Sequence, residues 1–96
     1  MKELAIFIGD SNPEIANSMV KEIASTIGMG TIVPAQGVWN GEMEHSYMLI
    51  TSEDEFNKHR GEIIKILKKY GQEALFLLYV GEGYLLYTHA EEEVVV

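Results

Sequence analysis

The chain has 96 residues, 47% of them hydrophobic, which suits one domain with its own core. It contains no cysteine, so disulfides, thiolate metal sites and a thiol nucleophile are excluded. The formal net charge is −8 with only seven lysine and arginine residues, which argues against general binding to nucleic-acid phosphates. No apolar run has the length of a membrane span or a signal peptide, and we expect a cytoplasmic protein.

The first two predicted elements are a strand and a helix. Residues 4–8 are all apolar and predict a buried strand. Asn12 followed by Pro13 is typical of a helix start, with Asn12 as the N-cap and Pro13 in the first turn. Apolar residues then recur every four positions at Ile15, Met19, Ile23 and Ile27. This spacing predicts an amphipathic helix, which Gly28 ends.

A β-hairpin follows the helix. Residues 31–33 begin the second strand, and Pro34 indicates that this strand lies at a sheet edge. Asn40 and Gly41 are the pair of residues most typical of a type I′ turn. The third strand is therefore expected from about residue 42 to residue 51.

The last part of the chain predicts a second helix and a fourth strand. Ser52 and Glu55 have the spacing of a capping box, and one helix is expected from there to Gly71. Residues 74–80 predict the fourth strand, and residues 81–83 a turn. A fifth strand at residues 84–88 would extend the sheet. We assign residues 1–90 to a single domain and residues 91–96 to an acidic and apolar tail.

This order of elements predicts an α+β fold of the ferredoxin-like β-α-β-β-α-β type, an antiparallel sheet with two helices on one face. The expected strand order is 4-1-3-2, and we expect the first and third strands to be parallel. Both central strands are apolar on both faces, so the face without helices also needs a cover. We predict a homo-oligomer formed through that uncovered face, with coverage by residues 88–96 as the alternative.

The most distinctive polar residues lie on the hairpin and before the fourth strand. We predict a ligand-binding site formed by Trp39, Glu44, Ser46, Gln72 and Glu73. With parallel first and third strands, Glu44 and Gln72 would lie at opposite ends of one subunit and meet only in an antiparallel dimer. The alternative is structural: Trp39 packs against the hairpin while Glu44 and Ser46 satisfy backbone groups there.

No residues form a recognisable catalytic or metal-binding motif, and we predict no cofactor. The segment Gly9-Asp10-Ser11 resembles the opening block of GDSL-type hydrolases, but the later blocks of that family are missing. A helix-entry turn explains this segment. His59 follows Glu55 at a spacing of four residues, which favours a surface ion pair or hydrogen bond over a metal site.

Three short segments resemble a family of small domains of unknown function found in bacteria and phages. They are Gly37-Val38-Trp39, Glu44-His45-Ser46 and Tyr70-Gly71-Gln72-Glu73, within a resemblance that covers residues 4–80. It implies the fold, a phage-type member and no particular reaction. A weaker likeness, through Trp39-x-Gly41 and Thr51, is to CutA divalent-cation tolerance proteins. That likeness implies a ferredoxin-like trimer, although the His-Pro-Tyr segment of that family is absent.

Three functional hypotheses follow. The first is a non-catalytic binding module, a phage accessory or anti-defence protein that captures a host protein or a small signalling molecule. The second is a small enzyme with a polar site between subunits, built on Glu44 and Gln72. The third is a CutA-like oligomer linked to metal.

Overall fold

The structure, a computed structural model, describes residues 1–84. Its elements are β1 (Lys2–Asp10), α1 (Pro13–Ile27), β2 (Thr31–Trp39), β3 (Glu42–Ser52), α2 (Glu53–Lys58), α3 (Arg60–Lys69) and β4 (Phe76–Glu82). The strands form one sheet in the order β2-β3-β1-β4, in which every neighbouring pair is antiparallel. The predicted α+β ferredoxin-like fold and its strand order are confirmed.

The predicted direction of β3 was wrong. β3 runs antiparallel to β1, with Gly9 opposite Ser46 and Asp10 opposite His45. The reason lies in the connections. The α1 crossover makes β2 parallel to β1, and the hairpin then reverses the chain, so β3 must oppose β1.

Local sequence signals explain the first helix and the hairpin. The Asn12 side chain accepts hydrogen bonds from the backbone N–H groups of Glu14 at 2.9 Å and Ile15 at 3.4 Å, as an N-cap should. Gly28 ends α1 with a φ of 85°. At the hairpin, Asn40 and Gly41 have φ values of 52° and 79°, which fit the predicted type I′ turn.

The single helix expected after Ser52 is instead two helices that meet at His59. The Ser52 hydroxyl accepts a hydrogen bond from Glu55 N–H at 3.1 Å, so half of the capping box is present. The Glu55 carboxylate lies 3.8 Å from His59 Nε2, so the two side chains meet as their spacing predicts. His59 leaves the helical conformation with φ −110° and ψ 12°. Gly61 follows in the first turn of α3, where its low helix propensity weakens continuity.

β4 starts and ends two residues later than predicted. The expected turn at residues 81–83 is wrong in part, because Gly81 and Glu82 still pair with Glu3 and Lys2 of β1. The register shifts between Glu3 and Leu4, which leaves Val80 as an extra residue in a β-bulge. Except for Tyr84, the predicted fifth strand lies outside the described residues, as does the predicted tail at 91–96.

The core lies between the sheet and the three helices. Its centre consists of residues that are at most 1% exposed, namely Ile6, Ile8, Met19, Val20, Ile23, Leu49 and Ile63. The other side of the sheet, here called the open face, carries Ala5, Phe7, Met48, Ile50, Phe76 and Leu78. No element of residues 1–84 covers this face.

Candidate functional site

A groove of about 700 Å³ lies at one end of the open face, where the β2–β3 hairpin approaches the end of β1 and the loop before β4. We call it the hairpin groove. Its lining includes all five residues of the predicted site, Trp39, Glu44, Ser46, Gln72 and Glu73, together with Asp10. The hairpin supplies the first three, and the α3–β4 loop supplies Gln72 and Glu73.

This grouping corrects the expectation that Glu44 and Gln72 lie at opposite ends of a subunit. Because β1 and β3 are antiparallel, the end of β1 lies beside the start of β3. β4 begins at that same end, since Phe76 pairs with Phe7. One subunit therefore brings the hairpin residues and the loop residues together, and the groove needs no second copy.

Glu44 lies across two glycines of the neighbouring strands. Gly37 of β2 pairs with Glu44, and Gly9 of β1 pairs with Ser46. A methyl group at Gly9 would approach Glu44 Oε1 to 2.6 Å, and one at Gly37 would approach it to 3.3 Å. Neither glycine has a positive φ, so neither is required by a left-handed backbone conformation. Their missing side chains instead leave the space that the Glu44 carboxylate occupies.

Asp10 connects the α3–β4 loop to the end of β1 by hydrogen bonds, and it was not among the predicted site residues. Its Oδ2 accepts a hydrogen bond from Asn12 N–H at 2.8 Å. Its Oδ1 accepts one from Gln72 Nε2 at 3.3 Å. Antiparallel pairing of β1 with β3 was the missing signal, because it places the end of β1 in the groove.

The loop itself is fixed by the end of α3. Gly71 has a φ of 72°, and its N–H donates to Lys68 O at 3.0 Å. The N–H of Gln72 donates to Leu67 O at 2.9 Å. These two bonds form a Schellman motif, which sets where the chain leaves the helix. The backbone conformation at the end of α3 therefore positions Gln72 in the groove.

Among the polar side chains of the groove that are not exposed, two have no partner in the described part of the chain. Ser46 as a residue is 8% exposed, and its hydroxyl makes no hydrogen bond to any of residues 1–84. The half-buried Glu44 carboxylate likewise makes no hydrogen bond or ion pair there. The alternative interpretation required these groups to satisfy the hairpin backbone. It also required Trp39 to pack against the hairpin, but Trp39 is 56% exposed.

The walls of the groove are apolar and its polar groups are acidic. Phe7 and Phe76 form the inner wall as a tilted ring pair with centroids 5.4 Å apart. Carboxylates line the groove at Asp10, Glu42, Glu44 and Glu73, while no lysine, arginine or histidine among the described residues does. The groove thus combines hydrophobic contact surface with negative charge.

The described residues offer little for metal or nucleophilic chemistry. No group of three or more His, Cys, Asp or Glu side chains within residues 1–84 could hold a metal ion. His45 projects from the other face of β3, since neighbouring strand residues alternate in direction. It therefore cannot serve Ser46 as a base. No helix in this part of the chain is long and apolar enough to cross a membrane.

Comparisons with known proteins identify the fold. No protein-family model and no curated protein sequence matches the chain. A periplasmic divalent cation tolerance protein CutA from Archaeoglobus fulgidus has a similar structure, with a TM-score of 0.51 and 16% identity over 98% of this chain and 99% of that one. CutA1 from Oryza sativa has a TM-score of 0.54 and 14% identity over 88% and 84% of the two chains. The de novo designed protein Foldit4 has a TM-score of 0.55 and 14% identity over 85% and 98%.

These likenesses concern the fold alone. A natural CutA1 protein and a designed protein match the chain about equally well, so the shared feature is architecture. The CutA likeness seen in the sequence is supported at this level. The resemblance to the family of bacteria and phages finds no support among the known proteins.

Proposed function

We propose that the protein is a non-catalytic binding module and that the hairpin groove is its ligand site. The observation that carries the proposal is the convergence of five candidate residues and Asp10 on one groove, where Glu44 and Ser46 lack partners within residues 1–84. The hairpin groove's volume of about 700 Å³ lies within the ordinary range of small-molecule sites. Apolar walls with a few placed polar groups are also typical of such sites.

The composition of the groove favours binding over catalysis. A serine nucleophile needs a base within hydrogen-bond reach, and no histidine lines the groove in the described part of the chain. Glu44 and Gln72 remain the residues on which an enzyme would depend, as the second hypothesis states. Because both lie in one subunit, that hypothesis no longer requires an intersubunit site.

Association through the open face is part of the proposal. Phe76 and Leu78 are 63% and 48% exposed on that face, and contiguous apolar surface of this kind usually marks an interface. Phe76 also lines the groove, so a second copy on the open face would border the ligand site. Cytoplasmic location and capture of a host component by a phage protein are hypotheses from the sequence.

A metal-linked role is the weaker alternative. The similar structures include CutA proteins, one of which is a divalent cation tolerance protein. The first 84 residues offer no group of three metal-ligating side chains, so the fold likeness is its only support.

The proposal is tested by a fragment screen against ¹⁵N-labelled protein, with cationic, neutral and anionic compounds in equal numbers. We expect hits that shift the amide signals of Gly9, Ser46 and Gln72. Trp39→Ala and Gln72→Ala should weaken those hits. Tyr79→Ala should not, because Tyr79 is 67% exposed outside the groove lining. Hits that all map elsewhere, or no hits at all, would overturn the proposed site.

A further inference from the structure

We infer that the hairpin groove binds a small organic cation, with its ammonium or guanidinium group on Glu44 and its apolar body against Trp39 and Phe76. This inference rests on the proposed function and names the class of ligand. Three features carry it: the free carboxylate of Glu44, the unpartnered hydroxyl of Ser46 and the apolar walls.

The carboxylates of the groove are not equivalent. Both oxygens of Asp10 already accept hydrogen bonds, from Asn12 and Gln72. Glu44 is half-buried and accepts none from residues 1–84, whereas Glu42 and Glu73 are exposed, so Glu44 is the unpartnered carboxylate that is partly shielded from water. A partly desolvated carboxylate gains most from a cationic donor, because charge-assisted hydrogen bonds are the strongest. No cationic side chain of the described residues lines the groove to compete for it.

Ser46 supplies a second polar group beside the first. It lies two residues from Glu44 on the same strand, so both side chains project from the same side of the sheet. Ser46 is more than nine-tenths buried, lines the groove and lacks a partner within residues 1–84. An ammonium group has three donors and no acceptor, so it needs several acceptors close together. A carboxylate and a hydroxyl on one strand meet that need.

The walls favour an organic cation over a bare ion. Trp39 is 56% exposed and Phe76 is 63% exposed, and both line the groove. Aromatic rings contact hydrocarbon and also attract cations to their faces. The ligand that matches all the lining groups therefore has a positive head and an aromatic or aliphatic body.

The test uses three probes of the same shape and different charge: 2-phenylethylamine, 2-phenylethanol and phenylacetate. Trp39 is the only tryptophan of the chain, so its fluorescence reports on the groove. The site of binding is checked from the amide signals of Gly9 and Ser46. We expect the amine to bind about tenfold or more tightly than the alcohol, and phenylacetate to bind least.

Glu44→Gln keeps the shape of the side chain and removes its charge. It should weaken the amine about tenfold or more and change the affinity for the alcohol by less than about twofold. Gly9→Ala should have the same selective effect, because the new methyl group would displace the Glu44 carboxylate. Asp54→Asn is the control for net charge, since Asp54 lies on α2 outside the groove lining. It should leave the affinity for the amine unchanged.

The outcomes separate this inference from the proposed function. If the alcohol or phenylacetate binds in the groove as tightly as the amine, the ligand class is wrong and the site stands. The ligand class is also wrong if Glu44→Gln and Asp54→Asn weaken binding of the amine equally. If neither these probes nor any compound of the fragment screen shifts the groove signals, the binding function itself is overturned.

Discussion

The two faces of the sheet differ in exposure although the same strands form both. Ile6 faces the helices and is fully buried, while its neighbour Phe7 faces the open side and is only partly buried. Leu77 and Leu78 differ in the same way on β4. Hydrophobic alternation therefore located the strands correctly, but it could not tell a covered face from an uncovered one. Only the positions of the helices distinguish the two.

The largest expected difference between the faces is in stability. Ile6→Ala should lower the free energy of unfolding by about 2–5 kcal/mol, because it leaves a cavity in a packed core. Leu78→Ala should cost less than about 1 kcal/mol in dilute protein, since Leu78 is 48% exposed. Urea titration followed by circular dichroism measures both. If Ile6→Ala and Leu78→Ala lower the free energy of unfolding equally at low protein concentration, the open face is covered within one chain.

The next effect concerns self-association. We expect light scattering to show an oligomer at micromolar concentration, and Leu78→Glu to convert it to a monomer, because a buried unpaired charge opposes the interface. Tyr79→Glu is the matched control. Tyr79 lies next to Leu78, is 67% exposed and projects to the other side of β4. A monomeric wild-type protein would contradict association through the open face.

A smaller effect is expected at the polar end of the open face, where Gly37→Ala should change ligand binding more than stability. Gly37→Ala places a methyl group 3.3 Å from Glu44, while alanine favours the strand backbone more than glycine does. These influences oppose each other, so stability should change by less than about 1 kcal/mol. Ligand binding should fall several-fold, measured by Trp39 fluorescence with 2-phenylethylamine. A large loss of stability would mean that Gly37 serves the fold and not the groove.

The smallest expected effect is a pH dependence on the helical side. Hydrogen bonds from Lys69 at 2.6 Å and Tyr70 at 2.8 Å hold the pKa of Glu22 below its ordinary value. A lowered folded-state pKa stabilises the protein above the ordinary glutamate pKa, and this contribution is lost as the pH falls through the folded-state value.

Glu22→Gln should therefore reduce the difference in urea midpoint between neutral and acid pH. The same contact raises the pKa of Tyr70, so its contribution is present below the ordinary tyrosine pKa and is lost as the pH rises through the folded-state value. An acid profile unchanged by Glu22→Gln would show that this exposed cluster contributes nothing measurable.

Local signals in the sequence predicted the elements well. Asn12, Ser52 and the Asn40-Gly41 pair act as expected because caps and turns depend on a few adjacent residues. The break at His59 was missed, because Phe56 and Ile63 are seven residues apart, which still fits one helix face although no large apolar residue lies between them. The bulge at Val80 was missed because it depends on the register with β1, and no short segment contains that information.

The candidate site was only partly predictable. Its five residues were chosen from the hairpin and loop segments, and the structure brings them together in one groove. Their function remains a prediction. The reasoning erred in strand direction, so it separated Glu44 from Gln72, and it left Asp10 out of the site. Gly9 and Gly37 were also missed as part of the site, since glycine in a strand has a visible use only when the side chain across from it is known.

The two outer strands of the sheet differ from its open face in what they offer to another chain. The pair Trp39–Glu42 closes a two-residue turn and is therefore a hydrogen-bonded pair. Hydrogen-bonded and non-hydrogen-bonded pairs alternate along the hairpin, so Pro34–Tyr47 is a non-hydrogen-bonded pair. The backbone N–H position of Pro34 therefore points away from β3, towards the free edge of the sheet. Proline has no N–H there, and the bulge at Val80 distorts the opposite edge at β4. Both features disfavour strand-by-strand growth into ribbons or amyloid at the edges of the described sheet. We therefore expect the acidic chain to form fibrils less readily than its hydrophobic open face alone would suggest.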